Sequence, residues 1–296
     1  MLNINTDTIK ANKLTLGLIF LVIFIVVAGF FGYQKFFASD SGPLEEVDLT
    51  FDAEGPYALL IPRRDGNALI LNLKRTATYD SISYELAYTA DADEVVLKGK
   101  KSNDGESMGS IDRGVVGEID TKQKKGEYEQ EILFGTCSKN VCKYDKGVEN
   151  GTLTLHIRKG KKAYRMTTQW HIEKPDVSLG TVTSGDNHFI YSVKASREEL
   201  SLIGYTIINN LTGSPKLPEG KEVSSKVYAL STPIAKDLMP GDIVLELSDN
   251  PWDGATLAMY SDKTGKWQEL DTKVMDNKLS AKALGAGIFA VLVPKK

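Results

Sequence analysis

The residues most able to do chemistry at a defined spacing are the two cysteines of this 296-residue chain, Cys137 and Cys142. Four residues, "SKNV", separate them, and a segment of this length suits a turn between two strands. In an oxidising compartment such a pair usually forms a disulfide, and opposite Cα atoms in a hairpin lie ~4.5–5.5 Å apart, within disulfide range. A zinc site needs about four ligands, and a redox motif has two intervening residues. We predict a disulfide, with free thiols, a metal site and a redox pair as alternatives.

Hydrolytic catalysis is the next chemistry to consider, and the sequence contains neither Gly-x-Ser-x-Gly nor His-Glu-x-x-His. His156 and His171 fall on the outward faces of alternating strands, where we expect solvated side chains without local pairing. His188 lies in the loop "SGDNHFIY", after Asp186 and Asn187, and is the histidine that could contact a ligand or act as a base. A Ser-His-Asp triad assembled from distant residues is recognised by geometry, so the sequence leaves it open.

A second candidate for ligand contact is Trp252, which stands between Pro251 and Asp253 in a loop. Loop residues often carry binding, and tryptophan is enriched at interaction hot spots. We therefore predict ligand contacts from Trp252, Asp253 and His188. The alternative for Trp252 is that its ring folds back over the end of a sandwich. Trp170 and Trp267 lie in alternating strand patterns and are expected in the core.

Two acidic loops offer oxygen ligands that would suit Ca²⁺. Asp91 and Asp93 lie in the first, and Asp249 and Asp253 lie in the second. Neither follows the twelve-residue EF-hand pattern. We expect no resident metal and no cofactor, and keep these four carboxylates as calcium candidates.

The element that determines where all these residues lie is the uncharged stretch 14–33, "LTLGLIFLVIFIVVAGFFGY". Twenty helical residues reach ~30 Å, the thickness of a bilayer's hydrocarbon core. Lys10 and Lys13 precede it and Lys35 follows, so the positive-inside rule places the N-terminus in the cytoplasm. A cleaved signal peptide, whose apolar region is usually shorter, is the alternative. We predict a cell-membrane protein with a cytoplasmic segment at 1–13, a single-pass signal-anchor helix at 14–33, a tether at 34–46 and an extracytoplasmic remainder.

Period-two alternation dominates the exterior part. In "AYRMTTQWHIE", alternate side chains from Tyr164 to Ile172 fall on one face, and the charged and polar side chains between them fall on the other. Asp65-Gly66 and Asn150-Gly151 supply turn residues between such runs. Pro175 lies in a polar segment that suits a domain boundary. The fold class is therefore predicted as all-β, with two antiparallel, Ig-like β-sandwich domains at 47–174 and 176–296.

One set of strand and turn residues covers about 223–294. It comprises Tyr228-Ala229-Leu230, Pro240 before an alternating strand, Leu257-Ala258-Met259-Tyr260, "GKWQEL" and the closing "GIFAVL". This region resembles the ZU5-like β-sandwich modules of bacterial cell-surface proteins, which implies a surface location and a sandwich fold. Some ZU5-type relatives cut themselves at His-Phe-Ser, but here Ile190 follows His188-Phe189, so the resemblance does not imply self-cleavage.

The functional expectation follows from location and from what the sequence lacks. A net charge of −3 without a clustered basic face argues against a nucleic-acid partner. We expect a membrane-anchored, non-catalytic protein for binding, adhesion or scaffolding, with an exterior protein or glycan as its partner. One alternative is a subunit of an envelope or secretion assembly. The other is a carbohydrate-active or peptidase-type hydrolase with dispersed catalytic residues.

Overall fold

The computed structural model describes residues 24–26, 45–49, 51–76, 78–92, 109–122, 126–139, 141–174, 180–200, 204–234, 236–251 and 253–295. The chain divides into two compact units, 1–45 and 46–296. Phe24, Ile25 and Val26 are helical and exposed. Within the described ranges, no helix has the length and apolar character needed to cross a membrane. Most of the proposed anchor and tether falls outside these ranges, so both stay predictions.

The second unit is built almost entirely from strands, as its alternating patterns predict. In the first half of the chain these are β1 (Glu46–Asp48), β2 (Tyr57–Pro62), β3 (Ala68–Lys74), β4 (Ser81–Asp91), β5 (Ser110–Ile119), β6 (Glu127–Leu133), β7 (Gly135–Ser138), β8 (Val141–Tyr144), β9 (Asn150–Lys159) and β10 (Lys162–Glu173). The second half contributes β11 (Thr181–Thr183), β12 (Phe189–Ser192), α1 (Arg197–Leu200), β13 (Tyr205–Asn209), β14 (Lys221–Val223), β15 (Tyr228–Ser231), β16 (Gly241–Glu246), β17 (Thr256–Ser261), β18 (Lys266–Glu269), β19 (Lys273–Met275), β20 (Lys278–Ala283) and β21 (Gly287–Pro294).

An eleven-stranded sheet runs through the whole unit in the order β18-β17-β21-β15-β13-β10-β9-β4-β5. Two further strands complete it, β14 beside β21 and β1 in parallel beside β10. The strands on either side of Pro175 pair directly, because β10 lies antiparallel to β13 with Glu173 opposite Tyr205. One sheet therefore joins the two segments predicted as separate sandwiches. Pro175 itself lies outside the described ranges, and the division into two domains stays a prediction.

The first core lies between this sheet and a three-stranded sheet, β2-β3-β6. The alternation predicted for β10 is confirmed: Met166, Trp170 and Ile172 are buried, while Arg165 and Gln169 are exposed. The same face is buried along the neighbouring strands, since one side of the sheet packs and the other faces water. The leucines and isoleucines that fill this core include Leu60, Leu69, Leu71, Leu73, Ile82, Leu86, Ile132, Leu153 and Leu155.

The second core lies between the strands that follow residue 204 and a five-stranded sheet, β11-β12-β16-β20-β19. β21 shows why this half of the large sheet carries continuous apolar runs. Its Ile288 and Leu292 belong to the first core, and its Phe289 and Val291 belong to the second. Both faces are therefore buried, and the run "IFAVLV" has no polar alternation.

Two local features have short sequence signals: a Ser-x-x-Glu run at 196–199, which favours a helix start, and the cysteine pair predicted above to form a disulfide. Ser196 and Glu199 form a reciprocal capping box at the start of α1, with the Glu199 amide donating to Ser196 Oγ and the Ser196 amide donating to Glu199 Oε2. Cys137 and Cys142 form a disulfide across the β7–β8 hairpin, where they stand directly opposite each other with Cα atoms 4.0 Å apart.

Candidate functional site

Three segments meet at one end of the second core and enclose a polar cleft of about 240 Å³. They are the loop before β12, the stretch that leads into β15, and the segment that follows β16. Two residues singled out from the sequence, His188 and Asp249, line this cleft together. The other polar groups that line it include Lys226, Glu246, Ser248 and Asn250.

Strand register places His188 at the rim. Phe189 lies opposite Leu245 in the β12–β16 pair, and both side chains are buried. The pairing extends one residue further, because the Glu246 amide donates to the His188 carbonyl at 2.8 Å. Burial of Phe189 thus fixes the strand end, and the half-buried His188 comes next to it at the cleft.

A single carboxylate, that of Asp186, organises the loop beneath the cleft. It accepts hydrogen bonds from Ser184 Oγ at 2.6 Å, Lys226 Nζ at 2.9 Å and the Tyr228 hydroxyl at 3.0 Å. Its Oδ1 also accepts from the His188 amide at 3.3 Å. Four donors from two segments, the loop itself and the stretch that leads into β15, converge on this side chain, so it ties the loop to β15.

The hydrogen bonds and the burial shift the pKa of this carboxyl in opposite directions. Burial alone would raise the pKa of Asp186, but the bonds from Ser184 and Lys226 outweigh it, and the pKa lies below its ordinary value. The partner hydroxyl responds in the other sense: burial, and then the charge of Asp186, raise the pKa of Tyr228. Asp186 therefore stays ionised, and Tyr228 stays a hydrogen-bond donor.

Glu246 is a second carboxylate at the cleft that has partners in the structure. It pairs with Lys278 at 3.3 Å and accepts from Asn277 Nδ2 at 3.4 Å. The hydrogen bond from Lys278 lowers the pKa of Glu246. Neither Glu246 nor Asp186 has the raised pKa that a general acid requires near neutral pH. Among the described residues, no serine hydroxyl hydrogen-bonds the His188 ring, so the cleft offers donors and acceptors rather than a nucleophile with its base.

Sequence reasoning missed Asp186, Lys226 and Tyr228 as members of this site. Lys226 and Tyr228 lie 40 and 42 residues after Asp186 in the chain. The local signal was the turn "SGDN", in which Asn187 has a φ of 61°, a conformation that asparagine tolerates. That signal predicts a turn, but it does not identify which distant cation closes on the carboxylate.

The other predicted ligand residues are only partly brought together. Asp249 and Asp253 are exposed, and Trp252 and Asp93 lie outside the described residues. Asp91 lies at the end of β4, against Gly147. No group of three or more potential metal ligands occurs in the described ranges.

The structure corrects the expectation for the two outward histidines. His156 Nδ1 lies 3.0 Å from Glu46 of β1, and His171 Nδ1 lies 2.8 Å from Asn150 Oδ1. Both side chains do face outward, but each has a partner on a neighbouring strand. Trp170 is in the core as predicted, whereas Trp267 is only half-buried and lines a separate groove.

Comparisons with protein-family models and with curated proteins find no match to this chain. The likeness of 223–294 to ZU5-like modules therefore rests on its strand and turn residues.

Proposed function

We propose that this chain is a membrane-anchored, extracytoplasmic binding protein without catalytic activity, and that the cleft beside His188 holds a polyhydroxylated ligand of the oligosaccharide class. The proposal includes the single-pass anchor at 14–33, a cytoplasmic N-terminus and two Ig-like or ZU5-like β-sandwich domains. The sandwich count and the anchor are supported by sequence pattern, while the all-β fold and the disulfide are features of the structure.

The observation that carries the proposal is the mixture of groups around the cleft. Asn250 and Ser248 each offer a donor and an acceptor, Lys226 offers donors and Asp249 offers acceptors. A sugar presents hydroxyls that donate and accept in alternation, so a lining of both kinds suits it. Trp252, another predicted ligand contact, follows Pro251 in the sequence and lies outside the described residues.

The downward pKa shifts favour binding over glycoside hydrolysis. A glycosidase acid beside His188 would need a carboxyl that holds its proton near neutral pH. Asp186 is instead stabilised in its ionised form by Ser184 and Lys226, and Glu246 by Lys278. This supports a non-catalytic role for the cleft.

A second candidate, a subunit of an envelope assembly, is favoured by one exposed strand. β19 forms an edge of the five-stranded sheet, and its Val274 and Met275 are 51% and 76% exposed. Apolar side chains on an edge strand suit a protein interface. Under this candidate, a Val274→Glu, Met275→Glu double variant would lose a partner that co-purifies with the wild-type chain.

The test of the proposed function uses the purified full chain in lipid nanodiscs on an array of defined neutral and anionic oligosaccharides. The double variant His188→Ala, Asn250→Ala should weaken binding of any retained oligosaccharide by at least about tenfold, since each lost hydrogen bond contributes ~1 kcal/mol. The matched control is Thr167→Ala, Gln169→Ala on the exposed face of β10, which should bind as the wild type does. Absence of any retained sugar, or equal loss in both variants, would refute the glycan assignment.

A further inference from the structure

A second concavity, of about 850 Å³, crosses the ends of β15, β17, β18 and β21. We call it the apolar groove, and its floor contains Leu59, Ile61, Leu230, Met259 and Ile288. Leu59 and Ile288 belong to the first core, and Leu230 and Met259 belong to the second, so the groove lies where the two cores meet. Its volume is within the range of small-molecule sites, and methionine in the floor allows the wall to adapt to a ligand.

The backbones of β21 and β17 approach each other closely at one wall of the groove. A Cβ added at Gly287 would overlap the Tyr260 carbonyl oxygen, so the strand can approach β17 closely there only because residue 287 is glycine. Leu284, three residues earlier, lines the groove and is 60% exposed. An apolar side chain of this kind at the mouth extends the apolar surface outward.

The rim of the groove carries uncommitted positive charge. Asp237 and Lys263 form an ion pair that links the loop before β16 to the β17–β18 turn. Lys236 and Lys266 line the same rim, and within the described part of the chain neither forms an ion pair. Asp262 shares the rim. Partial burial of its carboxyl raises the pKa of Asp262, and the positive charge of Lys74 offsets part of that rise.

The groove also contains a buried donor. Trp267 lines it, and its indole Nε1 is buried without a hydrogen-bond partner among the described residues. An indole N–H can only donate, and a buried donor without an acceptor is unfavourable. Because the Nε1 atom is shielded from solvent, a ligand in the groove meets the two unpaired lysines instead, and these call for an anion.

We propose that the apolar groove binds a long-chain carboxylate of the fatty-acid class, with its alkyl chain on the floor and its carboxylate between Lys236 and Lys266. An extended peptide fits less well, because it presents a backbone donor for each acceptor while the unpaired groups named here are donors. The site lies apart from the polar cleft, so it is independent of the glycan proposal.

The experiment uses the full chain in phosphatidylcholine nanodiscs with a diazirine-bearing palmitate, followed by irradiation, digestion and mass mapping of labelled peptides. We expect labelled peptides from 230–240, 259–268 and 284–288. The charge-reversal variant Lys236→Glu, Lys266→Glu should reduce this labelling by at least about tenfold, because a hydrogen bond to a charged group is lost at each lysine.

Two controls separate charge recognition from simple partition. The double variant Lys273→Glu, Lys282→Glu reverses exposed lysines on the five-stranded sheet and should label as the wild type does. The methyl ester of the same probe should label the groove several-fold less than the acid. Equal labelling by acid and ester, unchanged labelling in the Lys236 and Lys266 variant, stronger labelling by a diazirine phosphatidylcholine, or label confined to 14–33 would each overturn the proposal.

Discussion

At the scale of single residues, Asp186 is the side chain beside the polar cleft whose loss should most affect stability. Its carboxylate accepts from the buried Tyr228 hydroxyl and from Lys226, so an Asp186→Asn variant leaves a cation and a buried donor poorly matched. We expect the free energy of unfolding to fall by about 1–3 kcal/mol at pH 7. Urea denaturation measures this directly. Asp249→Asn is the matched control, since Asp249 is exposed on the same cleft, and its effect should stay within about 0.5 kcal/mol.

The contribution of the Asp186 carboxylate to the free energy of unfolding should depend on pH, with a sign that follows from its pKa. The pKa of Asp186 is lower in the folded chain than its ordinary value, so the carboxylate stabilises the folded state above the unfolded pKa, near ~4. This contribution is lost as the pH falls through the folded pKa. The difference in unfolding free energy between wild type and Asp186→Asn should therefore be largest above about pH 4 and shrink towards pH 2. A difference that stayed constant over this range would show that the charge contributes nothing.

Two strand glycines make a second matched pair. A Cβ at Gly151 would overlap both the Ala87 carbonyl and the Trp170 ring, whereas a Cβ at Gly114 would be 4.0 Å from its nearest neighbour, the Leu86 carbonyl oxygen. Gly151→Ala should destabilise the chain by about 1–3 kcal/mol through overpacking. Gly114→Ala should be neutral or stabilise it by up to ~1 kcal/mol, because alanine has less freedom in the unfolded chain. Thermal unfolding of both variants tests this; equal destabilisation would refute the packing explanation.

At the scale of elements, the β7–β8 hairpin should open as a local unit when its disulfide is reduced. Phe134 anchors its base, stacked on Trp170 at 5.8 Å, while most of the hairpin beyond it is exposed. Closing so short a loop contributes ~2 kcal/mol on the chain-entropy model. Reduction should therefore raise amide exchange in 135–144 by roughly thirtyfold and leave β9 and β10 unchanged. Loss of protection in β9 or β10 would show that the disulfide supports the whole sheet.

How far elements could be predicted depended on how local their signals are. The alternation of β10, the capping box at Ser196 and the Cys137–Cys142 hairpin all follow from residues within one segment. The polar cleft follows only in part: His188 and Asp249 were named from their loops, but the Asp186–Lys226 pair joins residues 40 positions apart. The apolar groove was not predicted, because Leu59 and Ile288 meet through the stacking of layers, and no sequence period encodes that.

At the scale of the whole molecule, β21 links the two cores. Its alternate side chains enter both, so the two cores share one strand. The pairing of β10 with β13 adds a backbone connection across the predicted domain boundary. These two features give a physical reason to expect cooperative unfolding of 46–296, which the sequence divided into two sandwiches.

Matched substitutions in the two cores test that cooperativity. Ile82→Val trims the first core and Ile243→Val trims the second, and both side chains are fully buried. Each should lower the unfolding free energy by about 0.5–1.5 kcal/mol. If the cores unfold together, either variant should reduce native-state exchange protection in both β4 and β16 by the same amount. Separate domains would instead confine the effect of Ile82→Val to β4 and that of Ile243→Val to β16, because the shared β21 would then not couple their unfolding.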